Sequence, residues 1–335
     1  MGNKIGWILA GVVVVAVAGF VIKFVYFPSA TEATAKTLKK GVLDKQELKA
    51  ELASVVSSVP SEDGNAADDY RKAVALYRDE KNKDILDDLS SHLNDIAGSK
   101  RSLPGNQVKL LEQIYAHVSA GAKKKSLQYV QGHEQAMSMK VNYPPAMELL
   151  DVQGALDILA AYYTSHNEFD NAAGVYQKLL IMGRQLVDER ARPQMVAMGI
   201  VMQKDACGGI SRALGKMSKT ADEKLINGKI AAVADYERQV GSFDASYGVL
   251  STVVQSAKLH AGDVFNVVEN CKDPSWKVEG ILTLSRLKFA IVKRGDIRKC
   301  DKLIERFCNS NDPLEKAAAQ IARDFTEEDL NKLGN

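Results

Sequence analysis

Apolar residues recur at every third and fourth position through most of this chain. In "NAADDYRKAVALYRDE", Ala66, Tyr70, Ala73, Val74 and Tyr77 fall on one face of a helix and leave the charges on the other. The segments from Ile85 to Ile96 and from Val108 to Ala120 keep the same period, and the Gly, Ser and Pro of "GSKRSLPGN" between them predict a loop. Asp44 and Glu47 have capping-box spacing, which predicts a helix from about Lys45 to Ser58 before "VPSEDGN" interrupts it. Later helix starts are marked by Thr220 with Glu223, by Thr326 with Asp329, and by Asp312-Pro313 with Glu315, where proline suits the first helical position. The expected fold class is therefore all-α.

One run breaks the amphipathic pattern. From Ile5 to Ile22, "IGWILAGVVVVAVAGFVI" carries no charge, and at about 1.5 Å per residue a helix of that length approaches the roughly 30 Å hydrocarbon core of a bilayer. Trp7 and Tyr26 stand near its two ends, where amphipathic rings favour the headgroup layer, and Lys23 can snorkel outward. Residues 1–27 are thus expected to form a single-pass anchor that meets the membrane through residues 5–27, with Pro28 ending the span and residues 28–43 linking it to the rest. A cleaved signal peptide would need Ala33-Thr34-Ala35 as its A-x-A site, too far beyond a run that is itself long. Myristoylation fails because Gly6 stands where Ser or Thr is wanted. The lysines conflict over orientation: Lys4 holds the short tail in the cytoplasm, while Lys36, Lys39 and Lys40 pull the other flank inward. Long domains translocate largely regardless of charge, so the expectation is a periplasmic or otherwise extracytoplasmic domain on a single-pass membrane protein.

Pro144 and Pro145 divide the remainder of the chain into an N-terminal helical region, 44–143, and a larger one, 144–335. In the larger region Leu156, Leu159, Ala160 and Tyr163 precede a turn at Asn167-Glu168, and Phe169, Ala172, Tyr176 and Leu179 come after it. This alternation of small and aromatic residues resembles a tetratricopeptide repeat, in which an aromatic knob of one helix sits beside a small-residue hole of its antiparallel neighbour. Ala160 and Ala172 match the small positions; Tyr163, Phe169 and Tyr176 match the large ones. "FDNAAGV" at Phe169 and "FDASYGV" at Phe243 share F-D-x-x-x-G-V, which predicts a second turn and helix start at Gly241 to Phe243. A third copy would use Leu287, Ile291, Gly295, Asp296, Ile297, Cys300, Ile304 and Phe307, with Cys300 in place of the usual alanine. The resemblance implies an irregular solenoid of α-hairpins. In outline the chain is also similar to membrane-anchored helical proteins of planctomycete bacteria, a likeness that brings no site residues.

Composition narrows the chemistry. Of 335 residues, 46% are hydrophobic and 26% charged, enough for a sizeable core and against disorder over most of the chain. Lys plus Arg (44) nearly balances Asp plus Glu (42), which gives no electrostatic footprint for nucleic acid. The "KKK" at Lys123 to Lys125 is expected to be a solvated helix end. "HEQAM" at His133 begins like the zinc-protease H-E-x-x-H, but Met137 replaces the second ligand. "GGISRALGKMS" has the wrong glycine spacing for a phosphate loop and Met217 in place of the hydroxyl, so a helix is expected there. The histidines, His92, His117, His133, His166 and His260, lie far apart, and His166 is expected in the turn of the first repeat. Cys207, Cys271, Cys300 and Cys308 show no metal spacing; Cys300 and Cys308 are too far apart on one helix to pair, and buried thiols are expected. No catalytic, cofactor-binding or metal-binding residue is assigned.

Shape is left to carry function. Stacked helix pairs leave a groove lined by the first helix of each pair, a surface suited to extended peptides or partner helices. The leading expectation is a membrane-anchored scaffold or adaptor of the bacterial envelope, not an enzyme, that binds a protein partner, with Asp157, Ala161 and Thr164 as groove candidates because they lie off the core positions. One alternative is a structural protein whose anchor self-associates into a homo-oligomer through Gly6-x-x-x-Ala10. The other is an enzyme with a site built from scattered acids and histidines, for which a compact pocket holding two or more of them with perturbed ionisation would speak, and against which a smooth apolar-lined groove would count.

Overall fold

The computed structural model describes residues 47–129, 148–217, 223–257, 261–290 and 294–333. The apolar run from Ile5 to Ile22, the linker 28–43, His133, the Pro144-Pro145 boundary and Thr220 lie outside the described residues. Within them the chain is built almost entirely of helices, as an all-α fold. No described helix is long and apolar enough to cross a membrane.

The expected helix over 45–58 does not form across its described part. Residues 47–58 run irregularly, with one 3-10 turn at Leu52–Ser54. Val55, Val56, Ser57 and Ser58 are weak helix formers, and several main-chain groups of this strap find partners on a neighbouring helix instead of in their own. "VPSEDGN" then holds a short strand β1 (Glu62–Asn65), parallel to β2 (Lys124–Ser126). The lysine run is therefore not a solvated helix end. Lys124 meets Glu62 at 2.9 Å and Lys125 meets Asp63 at 2.8 Å, and the hydrogen bond and charge of Lys124 lower the Glu62 pKa.

Between the strands come α1 (Ala67–Arg78), α2 (Glu80–Ser91), α3 (Leu93–Ala97) and α4 (Gly105–Gly121). Helix α1 buries Ala67, Tyr70, Ala73, Val74 and Tyr77, the face expected from the spacing apart from its first residue. The expected helix from Ile85 to Ile96 is split at His92 into α2 and α3. A Cβ on Gly121 of α4 would come within 2.5 Å of the Tyr70 ring, so these two helices touch as closely as they do because Gly121 has no side chain.

Helix α5 (Leu149–Ser165) is central: it packs against all four preceding helices and against α6 (Phe169–Glu189). The turn between α5 and α6 sets Asn167 at φ 63°, a region asparagine tolerates, and Glu168 N–H donates to the Tyr163 carbonyl at 2.8 Å. His166 stands at this turn, its ring 4.3 Å from that of Tyr162. Ala160 and Ala172 are fully buried in the consecutive helices, and Tyr163 and Tyr176 are half-buried against the same core.

Helix α7 (Pro193–Met217) returns along α6 after a turn through Arg190, which is left-handed at φ 47°. Glycine permits this pairing: a Cβ on Gly199 would lie 2.5 Å from the Gly183 carbonyl oxygen, and one on Gly183 would lie 2.8 Å from that of Gly199. Further along, Gly209 leaves room for the Tyr176 ring. "GGISRALGKM" is the end of α7, a helix as expected.

Helix α8 (Glu223–Ala257) overturns the expected second repeat. It runs unbroken through Gly241 to Phe243, about 50 Å in all. Val233, Tyr236, Val240, Phe243, Tyr247 and Leu250 alternate threes and fours, and all are buried. A continuous seam favours one helix, because carrying a glycine in the helix interior costs only about 1 kcal/mol. Phe169 thus starts a helix whereas Phe243 is in the middle of one. The rest is α9 (Ala261–Asn270), α10 (Pro274–Ala290), α11 (Arg294–Cys308), α12 (Pro313–Asp324) and α13 (Glu327–Leu333). In the stretch read as a third copy, α10 packs on α11, and Cys300, Ile304 and Phe307 are buried. The Asp312 cap accepts from the N–H groups of Leu314 and Glu315, and Thr326 with Asp329 forms the reciprocal box. Cys207, Cys271 and Cys300 are buried thiols and Cys308 is half-buried; burial pushes the Cys207 pKa up to about 12.

Candidate binding groove

Asp170, Gln177 and Arg184 are seven residues apart on α6, two turns each, so they form a polar stripe along one face of the helix. The strap 47–58 lies along this stripe in the opposite direction, with Ser57 at Gln177 and Leu48 and Ala50 at Arg184. Arg184 Nε donates to both oxygens of Asp188, one turn on, at 3.0 and 2.9 Å. That pins the guanidinium, whose terminal nitrogens donate to the main-chain carbonyls of Ala50 at 2.7 Å and Leu48 at 2.8 Å. Two turns back, Gln177 Oε1 accepts from the Ser57 N–H at 3.1 Å and from its hydroxyl at 2.9 Å. Lys178 Nζ donates to Ser58 Oγ at 3.4 Å. Burial, then the charge of Lys123, holds the Lys178 ammonium below its ordinary pKa.

Leu48, Ala50 and Val55 are the buried apolar residues of the strap. Its turn touches α8. Beside that turn a cavity of about 390 Å³ remains open between the strap and helices α6, α7 and α8. Ala53 and Val55 wall it from the strap, and Gly174, Ile210, Leu214 and Val233 wall it from the helices. Exposed Asp170 and Lys229 add one charge of each sign to its lining.

A second polar cluster gathers around α5, α6 and α7. Asp157 accepts a hydrogen bond from the Tyr176 hydroxyl, while Asp205 and Arg212 on α7 act on it through their charges. Burial first, then the Asp205 carboxylate, pushes the Asp157 pKa up to about 7, against the opposing pull of Arg212 and Tyr176. Gln153 Nε2 donates to Asp205 Oδ2 at 2.9 Å. Asp157 can therefore hold or release a proton near neutrality. Neither Asp157 nor Asp205 lines the cavity beneath the strap, and among the described residues no group of His, Cys, Asp and Glu is arranged to hold a metal ion.

No known family model, curated protein or solved structure matches this chain. Function must be derived from the groove and the cluster themselves. Of the three residues expected in a groove, Asp157 sits half-buried in the carboxylate cluster and Thr164 is half-buried on the last turn of α5. Ala161 is 7% exposed and belongs to the core. The physical reason is the setting of α5: with neighbours on several sides, it buries positions that a two-sided hairpin would leave open. The groove residues themselves, Gln177, Arg184 and Ile210, were missed. The seven-residue recurrence of polar Asp170, Gln177 and Arg184 was the available signal.

Proposed function

We propose that this chain is a protein-binding scaffold, held at a membrane by residues 5–27, whose helical hairpins, tetratricopeptide-like in outline, hold an extended polypeptide. The observation that carries this reading is the grip of Arg184 on two nearby main-chain carbonyls of one strap, at 2.8 and 2.7 Å, while Gln177 takes the amide of Ser57. Contacts of this kind track the course of a backbone rather than the identity of its side chains. They suit a surface that receives an extended segment. A Lys229-to-Asp170 lining with apolar walls supports binding over chemistry, since among the described residues the one carboxylate with a strongly raised pKa, Asp157, lies elsewhere.

The test is photocrosslinking in the membranes of the source cell, with a crosslinking amino acid at Asp170 of the full chain. A discrete product containing a second protein supports the scaffold. Products containing only this chain would support the structural, self-associating alternative instead, and absence of any product together with turnover of a metabolite panel would point to an enzyme.

A further inference from the structure

We infer that the groove on α6, α7 and α8 is a docking site for an extended segment of another polypeptide, and that the chain's own strap, residues 47–58, is its resident competitor. This rests on the scaffold reading and specifies the partner's chemistry. The main-chain bonds from Arg184 and Gln177 are available to any segment that takes the same course. The strap makes few bonds of its own, with a single 3-10 turn at Leu52–Ser54. Its departure breaks no main-chain hydrogen bond of α6, α7 or α8; what it gives up is the burial of Leu48, Ala50 and Val55 and the bonds to Arg184 and Gln177.

The strap also fills the groove incompletely. At its turn it offers Ala53 and Ser54, and although Val55 and Val56 also face the cavity, about 390 Å³ stays open between them and Ile210, Leu214 and Val233. A better occupant has small or aliphatic residues where the strap has Leu48 and Ala50, and a larger apolar residue where it has Ala53. It must outcompete a covalently attached rival, whose effective concentration is on the order of millimolar for a short connection. The strap thereby screens out weak ligands. A segment with only the backbone course loses to it, and one that also fills the cavity displaces it.

The experiment uses the full chain in detergent micelles and fluorescein-labelled peptides of residues 47–58, one native and one carrying Ala53→Leu, read by fluorescence anisotropy. In a chain carrying Leu48→Asp and Val55→Asp the strap is expelled. That chain is expected to bind the native peptide about tenfold or more tighter than wild type does. The Ala53→Leu peptide is expected to bind about fivefold tighter than the native one, and Arg184→Gln added to the expelled-strap chain is expected to weaken both. If the expelled-strap chain keeps its helical circular dichroism yet binds neither peptide better than wild type, the inference fails. Should that variant not fold, hydrogen exchange on wild type decides. Amides of the strap exchanging far faster than those of α6 support a displaceable occupant, and amides exchanging only with global unfolding make the strap a fixed part of the core and overturn it. Absence of peptide binding alongside a heterologous crosslink from another face would sink the groove and spare the scaffold. Peptide binding with only self-crosslinks would do the reverse.

Discussion

Asp157 shows how a single side chain sets a pH dependence. Its pKa is raised from 3.8 to about 7 in the folded chain, chiefly by burial and then by Asp205. Between those two values the folded state holds a proton that the unfolded state has lost, so stability falls as pH rises through this window and levels off above about 7. Half-burial discounts the size, and the loss is on the order of 2 kcal/mol. Asp157→Asn keeps the shape and cannot ionise. Urea midpoints at pH 5 and pH 8 should therefore differ less in the variant than in wild type, with the variant the more stable of the two at pH 8. An unchanged difference would mean that Asp157 is already ionised at pH 5. Tyr176 couples this carboxylate to helix packing, because the same residue hydrogen-bonds Asp157 and lays its ring where Gly209 has no side chain.

At the scale of elements, the turn between α6 and α7 is tied to α8 and α10 by charge in a buried setting. Arg190 meets Asp273 at 3.3 Å, with the Asp273 side chain 1% exposed, and Arg192 meets Glu279 at 3.1 Å. Asp273 also accepts from Ser275, whose hydroxyl pairs with Tyr247 of α8, and Arg190 lies over the Phe243 ring. Removing one partner of such a pair leaves a buried charge unanswered, so Asp273→Ala should cost about 3 to 5 kcal/mol in a urea titration. Truncating Asp324, paired at the surface with Arg323, should leave the midpoint where it was. None of this node was legible in the sequence, since Arg190, Phe243 and Asp273 are distant along the chain and charged residues carry no periodic signal. What was legible is local: the apolar face of α1, the caps at Asp312 and Thr326, and the helix over 208–217 all arise from neighbours a few residues apart. The failures come from tertiary context. The strap gave up helix because Arg184 and Gln177 answered its backbone, and the β1 and β2 pair is too short and too polar to show an alternating pattern. The heptad seam of α8 is present in the sequence, but so is the likeness of two glycine-containing segments, and only packing decides between them. Ala161 was misplaced because periodicity gives the faces of a helix and not the number of its neighbours.

On the scale of the whole molecule, the strap lies between the proposed anchor and the helices, so its docking sets how far the binding surface can stand from a bilayer. With the strap seated, residues 28–46 separate the proposed anchor, residues 1–27, from the strap, and 19 residues reach at most about 65 Å when fully extended. Release up to Ser61 lengthens this to 34 residues, residues 28–61, and a limit of about 115 Å. Partner capture and reach would then be coupled, because a segment that displaces the strap also frees the helices to move away from the membrane. The coupling depends on the apolar run from Ile5 to Ile22 being a span, and that has its own test. Full-length chain should stay in the membrane pellet after extraction at alkaline pH with sodium carbonate, and deletion of residues 5–22 should release it to the supernatant. A chain that washes off intact is not held by that run. Protease added to spheroplasts then gives the orientation: loss of the helical part places it outside, where an extracytoplasmic partner would meet the groove, whereas full protection places it in the cytoplasm, where Lys36, Lys39 and Lys40 would draw it under the positive-inside rule.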